Sequence, residues 1–429
     1  MTKLQPSTRI LFVRNFFPEP GKWGGDEVVL QFVEGLTEAG CEVDFVSLGR
    51  RPGESVGMDI APVFKRISAF RCPGYVKIGA KLLRHSPFAW AVFFEQSVGA
   101  KLPAILSRAY QKIRPASRLA GFFEEFSTKR FFDAPTEEDV RLVEQRVKNF
   151  KPNVIIVDYA WLGPLFWRVN NLANVKKMVL GHEVLHLRAA AFKKAGLTPD
   201  LPDWDQETEK KHLEGADIVT VETQGELEVM RRILPNKTVL SLPRGLLFRQ
   251  RGTTRIDGRC LFVGSNGSAN VSGLRWFLNQ VWPTVLNGCP SATLEVCGGV
   301  SGAFSHEKHP GVIFRGRVES LEPHYAAAAL CIMPLLAGSG FKTKLIEALA
   351  YGCACVSTSI GAEGAEAAMG TAVIVADHEK EFAQSIIQAL TDNILRMKME
   401  AAAESFAKDY LSPAKTLRPV VDLLVKCAA

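Results

Sequence analysis

Short apolar runs of strand length recur along the chain, separated by glycine-bearing loops and by stretches whose apolar residues fall at helical spacing. Residues 9–17, RILFVRNFF, read as a strand. The loop PEPGKWGGD follows, and EVVLQFVEGLTEAG then places Val29, Phe32, Val33 and Leu36 on one helical face. Gly40 closes that helix and CEVDFVSL reads as the next strand. This order makes a βαβ unit, whose parallel sheet gathers its loops at the carboxyl edge. VIIVD (154–158), KMVLG (177–181) and DIVTVE (217–222) extend the same sheet.

The alternation then restarts. CLFVGS (260–265), a helix across NVSGLRWFLNQVWPTVLNG, TLEVCGG (293–299), VIFRGRV (312–318), LCIMPL (330–335), the helix KTKLIEALAYG, ACVSTS (354–359) and AVIVAD (372–377) predict a second β/α array with its own core. Between the arrays, SLPRGLLFRQRGTTRIDGR lacks sustained periodicity, which puts a linker near 245–257. The expected class is α/β, with two Rossmann-like, doubly wound parallel-sheet domains facing a cleft. Their expected extents are 1–250 and 251–410, with a terminal helix over 411–429 that could pack back on the first domain. Ligands of open α/β sheets bind at the carboxyl edges, so function is expected between the two halves.

Composition narrows the class. With 429 residues and 47.1 kDa the chain exceeds a single average domain, and 47% hydrophobic against 23% charged residues excludes a mainly disordered chain. Nine cysteines without framework spacing fit a reducing compartment, and a cytoplasmic location is expected. Arg14 interrupts the first apolar run and no small-residue cleavage site follows. No stretch reaches the roughly 18–20 apolar residues that span a bilayer, so any membrane contact would be peripheral. Net charge is +7 overall, yet residues 64–130 hold thirteen Lys and Arg against three Glu, a local +10 with Phe and Trp interleaved. That segment suits an anionic membrane surface at the inner face of the cell membrane, and equally a set of amphipathic helices with solvated faces. Nucleic acid is not an expected partner, because no binding module accompanies the charge.

The richest chemical signal is GSGFKTKLIEALAYG (338–352), a glycine loop between a strand and a helix. Glycines let backbone amides approach a ligand, and a helix start favours an anion such as a diphosphate. Lys344 could neutralise it and Glu347 could accept ribose hydroxyls; alternatively the glycines only make the turn and Lys344 and Glu347 form an exposed i,i+3 pair. Gly24, Gly25 and Asp26 lie between the first strand and helix, where Asp26 either serves an acceptor hydroxyl or caps the helix. Asp158 ends a parallel strand beside Tyr159 and Trp161, and lines an acceptor side or caps the next turn. His182-Glu-Val-Leu-His186 matches the zinc-peptidase pattern in letters, but that chemistry needs both histidines one turn apart in a helix, and His182 directly follows a strand. Cys353 and Cys355 lack partners at ligand spacing and read as small buried residues.

The run GSGFKTKLIEALAYGCACVSTSIGAEG resembles the donor-binding segment of GT-B glycosyltransferases, in the group that includes bacterial retaining family-four enzymes (glycosyl transferases group 1). Collinear with it, FVGSNGSANVSGLRWF resembles the first strand and loop of the family's C-terminal domain, FRGRVESLEPHYAAAALCIMPL its base-holding segment, and GADIVTVETQGELEVMRRILP the end of its N-terminal domain. Many members carry two glutamates in the donor segment. Glu347 matches the second, which binds ribose, whereas the first, which binds the donor sugar, is Ser339 here, a variant found in a subgroup.

The resemblance implies a transferase moving a sugar from a nucleotide-diphosphate donor, a UDP- or GDP-sugar, to a hydroxyl of a lipid-linked or glycan acceptor in cell-envelope polysaccharide or glycolipid synthesis. It implies donor contacts from Gly24, Gly25, Gly264, Ser265, Arg317, Val318, Ser339, Gly340, Phe341, Lys344 and Glu347, acceptor contact from Asp158, and catalytic roles for His182 and Asp26. Retention of configuration would require no general base; inversion would call on Asp26 or His182. No metal and no cofactor beyond the donor are expected. A non-catalytic nucleotide-sugar-binding subunit and a zinc peptidase are the alternatives.

Overall fold

The computed structural model describes residues 8–19, 24–49, 57–71, 75–78, 81–84, 132, 134–251 and 255–427. Most of the basic segment 64–130 lies outside the described residues.

Two parallel sheets carry the chain. The first has seven strands in the order Thr238–Ser241, Ile218–Val221, Lys176–Leu180, Val154–Asp158, Arg9–Arg14, Glu42–Ser47 and Ala69–Arg71. The second has six, ordered Val312–Gly316, Thr293–Cys297, Arg259–Val263, Leu330–Met333, Cys355–Ser357 and Val373–Val375. Three short strands (Gly57–Asp59, Lys81–Arg84, Tyr75–Ile78) form a separate antiparallel sheet that the sequence pattern did not signal. Val154–Asp158 is buried along its whole length, as expected of a parallel strand covered by helices on both faces.

Helix Gly24–Glu38 sets Val29, Phe32, Val33 and Leu36 against Ile10, Phe12 and Phe45. Val420, Val421 and Leu424 of the terminal helix Arg418–Lys426 join that same core, so the chain's end packs on its beginning. The stretch expected as one helix over NVSGLRWFLNQVWPTVLNG is divided. Helices Ser268–Trp276 and Trp282–Gly288 are joined by a wider turn over Phe277–Val281. Pro283 has no N–H to give to the preceding turn, and the widened turn accommodates the missing bond. Among the described residues of 242–258 there is neither helix nor strand.

Candidate functional site between the two sheets

Adjacent parallel strands end side by side, and here four of them deliver polar residues to one spot. Arg14 closes the first strand, Asp158 its neighbour, and His182 and Glu222 lie just beyond the ends of the next two. The Arg14 guanidinium donates to Oδ1 of Asp26 at 2.8 Å and through Nε to Oδ2 of Asp158. Oδ1 of Asp158 lies 2.7 Å from Nε2 of His182, whose Nδ1 lies 3.2 Å from Oε1 of Glu222. All five residues are buried.

Burial alone would strip the proton from His182, but the Asp158 and Glu222 carboxylates outweigh it and raise its pKa to about 9. At neutral pH the ring is therefore an imidazolium donating from both nitrogens. Burial works against the Asp158 carboxylate too, yet Arg14 and His182 hold its pKa below the usual value. Burial raises that of Glu222. Tyr159, at φ 70°, turns its ring onto Trp161 at 4.1 Å and against His182 at 4.5 Å. A non-glycine residue in the left-handed region is costly and concentrates at functional sites.

From the second sheet, strand Leu330–Met333 runs into the glycine loop and helix Thr343–Ala350. Gly338 and Gly340 have φ of 136° and 71°, conformations that favour glycine. Lys344 Nζ sits 2.8 Å from Oε2 of Glu347, to which Tyr325 also donates at 3.3 Å. Lys342 is held by Glu363 and the Gly340 carbonyl. The Ser339 hydroxyl oxygen is buried without a hydrogen-bond partner.

The two edges enclose a cavity of about 190 Å³ whose lining includes Gly25, His182, Glu222, Arg244, Ser339 and Phe341. The loops approach closely: a Cβ on Gly340 would lie 3.1 Å from Cβ of Glu183. Of the residues singled out by sequence, Gly25, His182, Ser339 and Phe341 meet in this cavity. Gly340 abuts it, and Glu347 adjoins it through Arg244, whose Nη1 lies 3.6 Å from Oε1 of Glu347. Gly24 opens helix Gly24–Glu38.

Asp26 and Asp158 do not line the cavity. They stand behind it on Arg14, and Asp26 also accepts the Glu19 N–H of the preceding loop. Gly264, Ser265, Arg317 and Val318 lie elsewhere on the second sheet's carboxyl edge. There Gly298 passes so close to Gly264 that a Cβ on it would be 2.2 Å from the Gly264 carbonyl oxygen, and Arg317 Nε lies 3.9 Å from a Cβ built on Gly299.

Glu222 and Arg244 escaped sequence reading. Glu222 ends DIVTVE as Asp158 ends VIIVD, and that parallel was the available signal. Arg244, in SLPRG just past a strand end, lies in the aperiodic stretch that directly precedes the expected linker. A second cavity of about 240 Å³ shares Tyr159, Glu183 and Arg188 with the first and adds Phe132, Trp161 and Leu201.

The zinc-peptidase arrangement does not form. Helix Leu185–Lys194 begins after His182, and His186 turns instead to Glu209, its Nδ1 2.6 Å from the carboxylate. Among the described residues Glu295, Cys297 and His324 are close enough to share an ion. Glu295 is already engaged by Arg315 at 2.6 Å and His324 at 3.1 Å, and burial pushes the Cys297 thiol up to about 12, so a neutral thiol beside a paired carboxylate is a poor cation site.

Residues 257–392 match the family described as Glycosyl transferases group 1. Over 158 residues the chain is 34% identical to an uncharacterized 44.6 kDa protein in the cps region of Klebsiella pneumoniae, a match covering 34% of this chain and 40% of that relative. In architecture it is similar to sucrose-phosphate synthase from Thermosynechococcus elongatus, with a TM-score of 0.65, 16% identity and 98% of each chain covered. It is also similar to a mutant of S. aureus TarM, solved in complex with fondaparinux, alpha-GlcNAc-glycerol and UDP, with a TM-score of 0.63, 10% identity and 97% of this chain against 100% of that one.

Proposed function

We propose that this chain, which has the GT-B fold and whose residues 257–392 match the glycosyl transferases group 1 family, is a glycosyltransferase that moves a sugar from a nucleotide-diphosphate donor to a hydroxyl of a glycan or lipid-linked acceptor. The observation that carries this is the cavity between the two carboxyl edges, where the glycine loop of one sheet faces the His182 cluster of the other. The Ser339, Gly340 and Phe341 amides and Lys344 would hold the diphosphate and Glu347 the ribose. Gly264, Ser265, Arg317 and Val318, farther along the same edge, would receive the base. UDP- or GDP-sugars fit these roles, and the UDP bound by TarM supports the first. The relative from a cps region supports a place in polysaccharide assembly.

Departure of the diphosphate builds negative charge, which preorganised amides and cations stabilise. His182, held charged at neutral pH by the two carboxylates that engage both its ring nitrogens, is not a base; Asp26, paired with Arg14, is not one either. Asp158 and Asp26 act as positioning residues for that charge. Their engagement supports retention of configuration. If the reaction inverts, Glu222, which lines the cavity and has a raised pKa, is the group available as base. The adjoining aromatic cavity with Tyr159 and Trp161 would take the acceptor.

The test is nucleotide protection: thermal unfolding with UDP, GDP and ADP, on wild type and Lys344→Ala. At least one diphosphate should stabilise the wild type and stabilise Lys344→Ala less. Stabilisation by none of them would sink the donor site.

A further inference from the structure

Arg244 is placed where a protein seldom leaves an arginine. It follows the last strand of the first sheet, is 5% exposed, and its Nε and Nη1 have no hydrogen-bond partner. The nearest carboxylate, Glu347, stands at 3.6 Å, an ion-pair distance beyond good hydrogen-bond geometry. A buried charge normally secures bonds that offset its desolvation. The other cations lining the same cavity are committed: Arg188 to Glu183 and Asp200, His182 to Asp158 and Glu222. Lys344, in the first turn of helix Thr343–Ala350, has a side chain 37% exposed that already rests on Glu347.

Two buried groups with polar atoms that lack a hydrogen bond, Nε and Nη1 of Arg244 and the Ser339 hydroxyl, thus line one cavity from opposite sides of the cleft. A guanidinium presents its donors as a fork that matches an oxyanion. The position beside Glu347 is decisive. If Glu347 holds the ribose, a group 3.6 Å from it and facing the cavity lies where the phosphates leave the nucleoside.

We propose that Arg244, from the interdomain linker, binds the distal phosphate of the donor's diphosphate, with the Ser339 hydroxyl as second donor, and is the main determinant of preference for a nucleoside diphosphate over a monophosphate. This rests on the donor-site reading above and sharpens it. Donor binding then ties together the linker and both domains, because the anion completes bonds that the unliganded linker arginine lacks.

Calorimetric titration with UDP, UMP, GDP and GMP on wild type, Arg244→Met and Arg244→Lys tests this, with thermal unfolding of each ligand-free variant. In wild type one diphosphate should bind at least tenfold more tightly than its monophosphate. Arg244→Met should lose that margin, leaving monophosphate affinity within twofold, and Arg244→Lys should restore part of it. Ligand-free Arg244→Met should melt no lower than wild type, since it removes a buried charge whose Nε and Nη1 lack hydrogen bonds and whose ion pair with Glu347 is long. A purely structural arginine would instead lower the melting temperature and weaken both ligands alike. Equal weakening of both ligands, or of neither, overturns the proposal while leaving the donor site standing; no diphosphate binding to wild type overturns both. UDP-glucuronate and UDP-glucose form a further arm. Selective loss of the glucuronate with UDP affinity unchanged would assign Arg244 to a sugar carboxylate and overturn the phosphate assignment.

Discussion

Nε2 of His182 lies 2.7 Å from Oδ1 of Asp158, and this contact joins two strand ends into one chain of charges running from Asp26 through Arg14, Asp158 and His182 to Glu222. Histidine held between two carboxylates stays charged where a free one would not. Removing one link leaves the others buried and uncompensated. Asp158→Asn or Arg14→Met should therefore lower unfolding free energy by about 3–5 kcal/mol in urea denaturation. A loss below about 1 kcal/mol would mean that water or a rearranged partner satisfies the remaining charges.

Stability takes a definite pH slope from His182 of this cluster and from the nearby Glu226, which accepts the Val184 and Thr223 N–H groups. The folded pKa of His182, about 9, lies above its ordinary 6.5, so its contribution is complete below pH 6.5 and is lost as pH rises toward 9. Burial raises Glu226 from 4.5 to about 7; the folded state keeps that proton longer than the unfolded chain, so stability also falls between pH 4.5 and 7. Urea midpoints should decline across both windows. Asp158→Asn should flatten the upper one and Glu226→Gln the lower. Midpoints that climb from pH 5 to 9 would be at odds with both assignments.

Gly340 can be separated from glycines whose positions ask for no special backbone or close approach. Its φ is 71° and a Cβ there would stand 3.1 Å from Glu183 across the cleft. Gly340→Ala should cost about 1–2 kcal/mol for the left-handed backbone, and should weaken nucleotide binding by displacing the loop. Gly302→Ala, where a Cβ meets nothing within 4 Å, should stay within about 0.5 kcal/mol of wild type. Indistinguishable effects at the two positions would show that the loop does not need this conformation.

Much of the architecture is legible along the chain because buried parallel strands are short apolar runs bounded by glycine and polar residues. VIIVD is a strand from Val154 to Asp158, as its letters suggest. The three-stranded antiparallel sheet was not legible, since strands of three or four residues carry too little alternation to stand out. Side-chain partnerships were less legible still. Arg14 reaches Asp158 across 144 residues, and local spacing cannot reveal a pair made by strand order. Asp26 looked available for an acceptor because its neighbours are glycines, and only the buried Arg14 beside it shows that it is engaged. Arg244 was hidden for a different reason: it lies in a segment with no periodicity to mark it.

Glu347 gives the most direct test of the central claim, since its acceptor oxygens are the part of the proposed site assigned to ribose. Binding isotherms of UDP, GDP and ADP should be measured on wild type and Glu347→Ala. One nucleotide should bind the wild type and bind the variant at least tenfold more weakly, a loss of about 1.4 kcal/mol or more. Binding of no nucleotide to wild type, or equal binding to both proteins, would contradict the assignment of this cleft to a nucleotide-sugar donor.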